Sequence, residues 1–115
     1  MTTTFADYVA QQDARNTIEL NVRKYALMLC DALRDDAPEG YDFIIESGRK
    51  YFKVIMDARG SRSVHCFIDR KSGSVLKSAS WKSPAKGERY NLLLIKDREW
   101  LLENADWASG YLYKK

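Results

Sequence analysis

Histidine occurs once in the 115 residues, and cysteine and proline twice each. Each scarcity closes off a class of chemistry. With His65 alone and no Cys-x-x-Cys or His-x-x-x-His spacing, the usual ligand sets for zinc are missing, so no metal site is expected. Cys30 and Cys66 are too few and too far apart for a disulfide framework, and both lie in apolar runs, so buried free thiols are expected. There is no Gly-x-Ser-x-Gly elbow and no Gly-x-x-x-x-Gly-Lys phosphate loop. His65 and Cys66 are neighbours in a strand-like run, where alternation sends their side chains to opposite faces and denies them a nucleophile–base dyad. A non-enzymatic protein without catalytic residues or cofactors is the reading that follows. No apolar run approaches the roughly 20 residues that cross a bilayer. The opening MTTTFADYVAQQDARN has neither a basic region nor a continuous apolar core, so no secretory signal is read there and a cytoplasmic location is expected.

Charge is plentiful but unevenly placed. The formal net charge is only +3. Yet residues 1–46 carry four Lys/Arg against nine Asp/Glu, while residues 47–96 carry twelve against three. A basic middle between acidic ends is hidden in the whole-chain value. The length suits one domain spanning 1–115.

The pattern of apolar residues divides that domain into helix, sheet and helix, an α+β fold. Residues 4–13 suit a short first helix with Phe5, Tyr8 and Val9 on one side. Asn16 and Glu19 form a capping pair for a second, in which Ile18, Val22, Tyr25 or Ala26, Leu29 and Leu33 recur at three- and four-residue steps to about Asp35. Pro38 and Gly40 end the helical region, 1–36. From Tyr41 the runs YDFIIES, KYFKVIM, SVHCFID and SVLKSAS, parted by Gly-containing charged turns, predict an antiparallel meander within 41–95. Pro84 and Gly87 make SWKSPAKGERYN, residues 80–91, an ordered loop, anchored by Trp81 and Tyr90. NLLLI is then a candidate fifth strand. Asp97 caps a last helix carrying Trp100 and Leu101, followed by an aromatic tail, within 97–115.

Alternation assigns Phe52, Val54, Met56, Val64, Cys66 and Ile68 to an apolar face under the long helix. Tyr51, Lys53, Ile55, His65 and Phe67 fall on the other, with Lys77 as a neighbour. If that face is open, its rings stand in a basic field, an arrangement that holds single-stranded nucleic acid by base stacking and phosphate pairing. The candidate nucleic-acid-binding residues are Tyr51, Lys53, Phe67, Lys77, Trp81, Lys82, Lys86 and Arg89. If a terminal helix covers it, the same rings are core, and the chain reads as a protein-interaction or virion-assembly module. That module would bind a host or viral protein or a second copy of itself, as a homodimer, and in neither reading a membrane.

The run VHCFIDRKSGSVLKSASWKSPAKGERYNL resembles a motif of small proteins from tailed bacterial viruses of marine and environmental samples. In that motif a Lys-Ser/Thr-Gly turn precedes Ser-Trp-Lys-x-Pro-Ala-Lys, with an Arg and an Asn following, and the closing SGYLYK is similar to its Gly-x-x-Tyr-Leu ending. The resemblance implies a phage origin and an α+β fold, with no activity attached, and would place the chain in the cytoplasm of an infected bacterium. LLLIKDREWLLENADW departs from the motif. The arrangement of a basic sheet followed by a helix with Glu99, Trp100 and Leu101 is also similar to the single-stranded-DNA-binding domain of eukaryotic positive-cofactor coactivators, although no stretch aligns.

Overall fold

No glycine or proline interrupts the chain between Thr4 and Ala37, and in the computed structural model, which describes residues 4–113, this whole stretch is one helix. Helix α1 runs Phe5–Asp36. Its N-terminus is a capping box: the Thr4 hydroxyl accepts the Asp7 N–H at 3.1 Å, and the Asp7 carboxylate reaches back to the Thr4 N–H. The two helices expected from the sequence are therefore one. Asn16 and Glu19 sit mid-helix, and the Thr17 hydroxyl donates back to the Asp13 carbonyl at 2.9 Å, as a residue inside a continuing helix does.

The sheet has five antiparallel strands in sequence order: β1 Tyr41–Ser47, β2 Tyr51–Ala58, β3 Ser61–Asp69, β4 Ser74–Ser78 and β5 Pro84–Asn91. The β2–β3 turn places Arg59 at φ 56° and Gly60 at φ 94°, the two positive values that a tight two-residue hairpin requires. The fifth strand is not NLLLI but the second half of the stretch read as a loop. Proline removes a backbone donor, which costs nothing at the first residue of an edge strand, and Pro84 holds that position. Only Ala79–Ser83 turns, closed by Ala79 N–H to the Ser83 carbonyl at 3.0 Å. Of NLLLI only Asn91 stays in the sheet, as the last residue of β5; Leu92 is fully buried, and Ile95 opens helix α2, Ile95–Asn104. Asp97 does not cap this helix, since the N-cap is Leu94; its carboxylate accepts the Asn91 N–H at 2.9 Å.

Both helices pack on the same face of the sheet. Val22, Ala26, Leu29, Cys30 and Leu33 of α1, Leu101 of α2, and Tyr111 and Leu112 of a short 3-10 turn share one core with Phe43, Phe52, Val54, Cys66, Ile68 and Val75. The tail docks as its aromatic content suggests; the two terminal lysines lie outside the described residues. The opposite face carries no helix.

One irregularity changes the face assignment. Val54 pairs with Cys66 but Ile55 pairs with Val64, so β3 has one residue more than β2 at this point, and that residue is His65. The bulge turns His65 toward the helix side with Cys66, against the sequence expectation. Its ring meets Phe43 edge-on at 5.4 Å, and Nε2 lies 2.7 Å from the Tyr111 hydroxyl. Val64 moves the other way, opposite Ile55 on the helix-free face.

Candidate nucleic-acid interface

The helix-free face has a small apolar centre of its own. Ile55 is 1% exposed and Phe67 2%, although no element lies over them. Side chains of the face itself form the cover. Tyr51 meets Phe67 edge-on at 5.7 Å, and the Lys53 ammonium stands 5.9 Å from the Phe67 ring centroid and 4.7 Å from that of Trp81. The β4–β5 turn carries Trp81 and Lys82 to this place. Lys53 is thus mostly covered along its stem, with its charge lying between two rings and 3.7 Å from Glu46.

Beside this cover runs a groove of about 190 Å³, whose lining includes Arg49, Lys50, Tyr51, Lys53 and Lys82, with Glu46 as its acidic member. Lys50 lies 5.4 Å over the Tyr51 ring. Of the aromatic rings with usable surface, Tyr51, half-buried, lines the groove, and Trp81, 44% exposed, stands next to it against the Lys53 ammonium. Four cations and one carboxylate give it a net positive field, which draws an anion.

Of the sequence-predicted residues, Tyr51, Lys53, Phe67, Trp81 and Lys82 come together here. Phe67 belongs to the floor; at 2% exposure it offers no ring face on which a base can stack, so the stacking role expected of it is withdrawn. Lys77 does not join them. It pairs with Cys66, whose side chain faces the helices, and its ammonium stands 4.6 Å over the Tyr113 ring on that side of the sheet. Lys86 is exposed on the edge strand β5, and Arg89 is the extra residue where Val75 pairs with Tyr90 but Leu76 with Glu88. Neither lines the groove. Arg49 and Lys50 do line it and were missed as site residues. Their signal was position, at the β1–β2 turn directly before a strand whose odd residues face outward.

The thiols and the imidazole lie on the other side of the sheet. Burial pushes the Cys30 thiol up to about 12 and raises Cys66 as well, while burial lowers His65 to about 4. A protonated thiol beside a neutral imidazole engaged by Tyr111 is structural packing, not an activated nucleophile. Among the described residues no group of three His, Cys, Asp or Glu is placed to hold a metal ion, and no helix is long and apolar enough to cross a membrane.

A family model described as a family of unknown function, DUF7717, matches residues 5–114, and the chain belongs to that family. No curated protein and no solved structure matches it.

Proposed function

We propose that this protein is a non-enzymatic binding protein for single-stranded nucleic acid, of the phage type that its Trp81–Lys86 segment resembles. The observation that carries the reading is one groove, on a sheet face free of helices, lined by Tyr51, Arg49, Lys50, Lys53 and Lys82, with Trp81 standing against Lys53 beside it. Bases stack on the exposed surfaces of Trp81 and Tyr51, a contact worth about 1–3 kcal/mol per base. Lys82, Lys50 and Arg49 pair with phosphates, and Lys53 holds Trp81 in place. The test is binding of a labelled single-stranded oligonucleotide at several salt concentrations, with tryptophan emission followed in parallel. Phosphate contacts at these three residues correspond to a log–log salt slope of about −2 for a single strand. Quenching that disappears in Trp81→Phe assigns the contact. Absence of binding at low salt overturns the reading.

A second reading, assembly with another copy of the chain or another protein, is favoured by a different observation. No residue of α1 before Val22 is buried, and Phe5, Tyr8 and Leu20 are 82%, 54% and 66% exposed. Sedimentation of the purified protein across a concentration series tests it.

A further inference from the structure

We infer that the anionic strand does not end on the open face but continues around the turn end of the sheet, along a basic path from Lys82 through Arg49 and Lys50 to Lys71 and Arg15. This rests on the nucleic-acid reading above and extends it to residues outside the open-face groove.

Three concavities join to make the path. The open-face groove shares Arg49 and Lys50 with a second, of about 440 Å³, that also takes in Lys71 and Ser72 at the β3–β4 turn. The second shares Lys71 with a third, of about 360 Å³, between that turn and α1, where Arg15 and Asn16 form the far wall. The shared residues set the three concavities side by side, in order from Tyr51 to α1.

The charges along it favour a polyanion. Among the described residues none of Arg49, Lys50, Lys71 and Lys82 takes part in an ion pair, so each has its charge to give to a ligand. Three carboxylates also line the path, Glu46, Asp69 and Glu19, against six cations, Arg15, Arg49, Lys50, Lys53, Lys71 and Lys82, so the balance stays positive. The Asp69 Oδ1 atom accepts the N–H groups of Lys71 and Ser72 at 2.8 and 3.0 Å, and Glu19 pairs with Arg70 at 3.5 Å. Gln12 and Asn16 of α1 line the third concavity and add neutral donors that suit phosphate and base edges alike.

The experiment compares oligonucleotides of about 4 and about 16 nucleotides, the range that small single-strand-binding domains occupy. Each is titrated against the full chain, Lys82→Ala, and the charge reversal Lys71→Glu, with circular dichroism confirming the fold of both variants. On a continuous path, Lys71→Glu weakens the longer strand about tenfold and makes its salt slope shallower by at least about 0.7, one phosphate contact. The same variant leaves the shorter strand unchanged, while Lys82→Ala weakens both. If Lys71→Glu leaves the longer strand unchanged while Lys82→Ala weakens it, the strand is confined to the open face, and the path is wrong while the proposed function stands. If neither strand binds the parent protein at low salt, the proposed function and the path fall together.

Discussion

Arg34 and Asp42 hold the free edge of the sheet closed. Arg34 Nε donates to Asp42 Oδ1 at 2.5 Å, and the same oxygen accepts the Phe43 N–H at 2.8 Å. Arg34 Nη2 donates to the Phe43 carbonyl at 2.7 Å. Strand β1 is an edge, so the outward N–H and C=O of Phe43 would otherwise face an incoming strand. One ion pair occupies both groups.

Removing that clasp should open the edge. Asp42→Ala and Arg34→Ala are expected to increase self-association through β1, whose sequence YDFIIES is rich in residues that favour strand pairing. Sedimentation velocity on each variant at matched concentration is the check, and unchanged monomer profiles would show that the clasp does not guard the edge. The ion pair with Arg34, then the Phe43 N–H, holds the Asp42 carboxyl below its usual value. A depressed carboxylate favours the clasped form above the ordinary aspartate pKa, about 3.9, and that advantage fades as pH falls through the lower folded value. Acid-induced association is expected only at that end of the scale.

His65 sets a second pH dependence, in a different window. Burial lowers its pKa to about 4, so the folded protein keeps it neutral while the unfolded chain protonates near 6.5. The unfolded state then binds more protons between these values, and stability falls as pH drops from about 6.5 toward 4. Between pH 7 and pH 5 the loss from this group is about 2 kcal/mol. Urea unfolding at the two values measures it, and His65→Gln should remove most of the difference. A parent protein equally stable at both would contradict the buried neutral imidazole.

Lys53 separates folding from binding. Its stem covers Phe67 and its charge meets Trp81, so truncation and neutralisation have different consequences. Lys53→Ala uncovers the apolar centre of the face and is expected to cost about 1 kcal/mol. Lys53→Met keeps the stem and should hold urea stability close to the parent while shifting the Trp81 emission and weakening oligonucleotide binding. Equal stability of the two variants would mean that the stem does not shield Phe67.

The two halves of α1 should respond oppositely to substitution. Leu29→Ala removes a fully buried side chain and is expected to cost about 2–5 kcal/mol. Leu20→Ala, at a position 66% exposed, should change the stability of the monomer by less than about 0.5 kcal/mol. A large loss at Leu20 that depends on protein concentration would reveal a partner on that surface.

What the sequence made legible depended on whether burial was one-sided. In β2, Phe52 and Val54 face the core while Tyr51 and Lys53 face out, and simple alternation read this correctly. In β3 the same rule failed before Cys66, at Val64 and His65, because nothing in SVHCFID marks the extra residue at His65; a bulge of two ordinary residues against one leaves no glycine or proline to announce it. Strand β5 was hidden for another reason. An edge strand of polar residues has no apolar face to alternate, so PAKGERYN resembles a turn, and the neighbouring LLL, which is apolar because Leu92 plugs the core, resembles a strand. Lys77 was misplaced by register alone: a one-residue choice in β4 decides which side of the sheet receives it. Asn16 and Glu19 have the chemistry of a cap, but a cap ends a helix only where the preceding backbone leaves it, and residues 5–15 contain no residue that would make it do so.

The long helix crosses a boundary that amide hydrogen exchange would reveal. From Val22 onward its backbone opens only with the core, whereas upstream of the Glu19–Arg70 contact each turn is free to fray by itself, since short helical segments without packing are marginal in water. One continuous element should therefore exchange as two, fast over its first four turns and slow over its last four. Any molecule that settles on the outer half would announce itself there first, as a slowing of exchange in amides that nothing in the isolated chain protects.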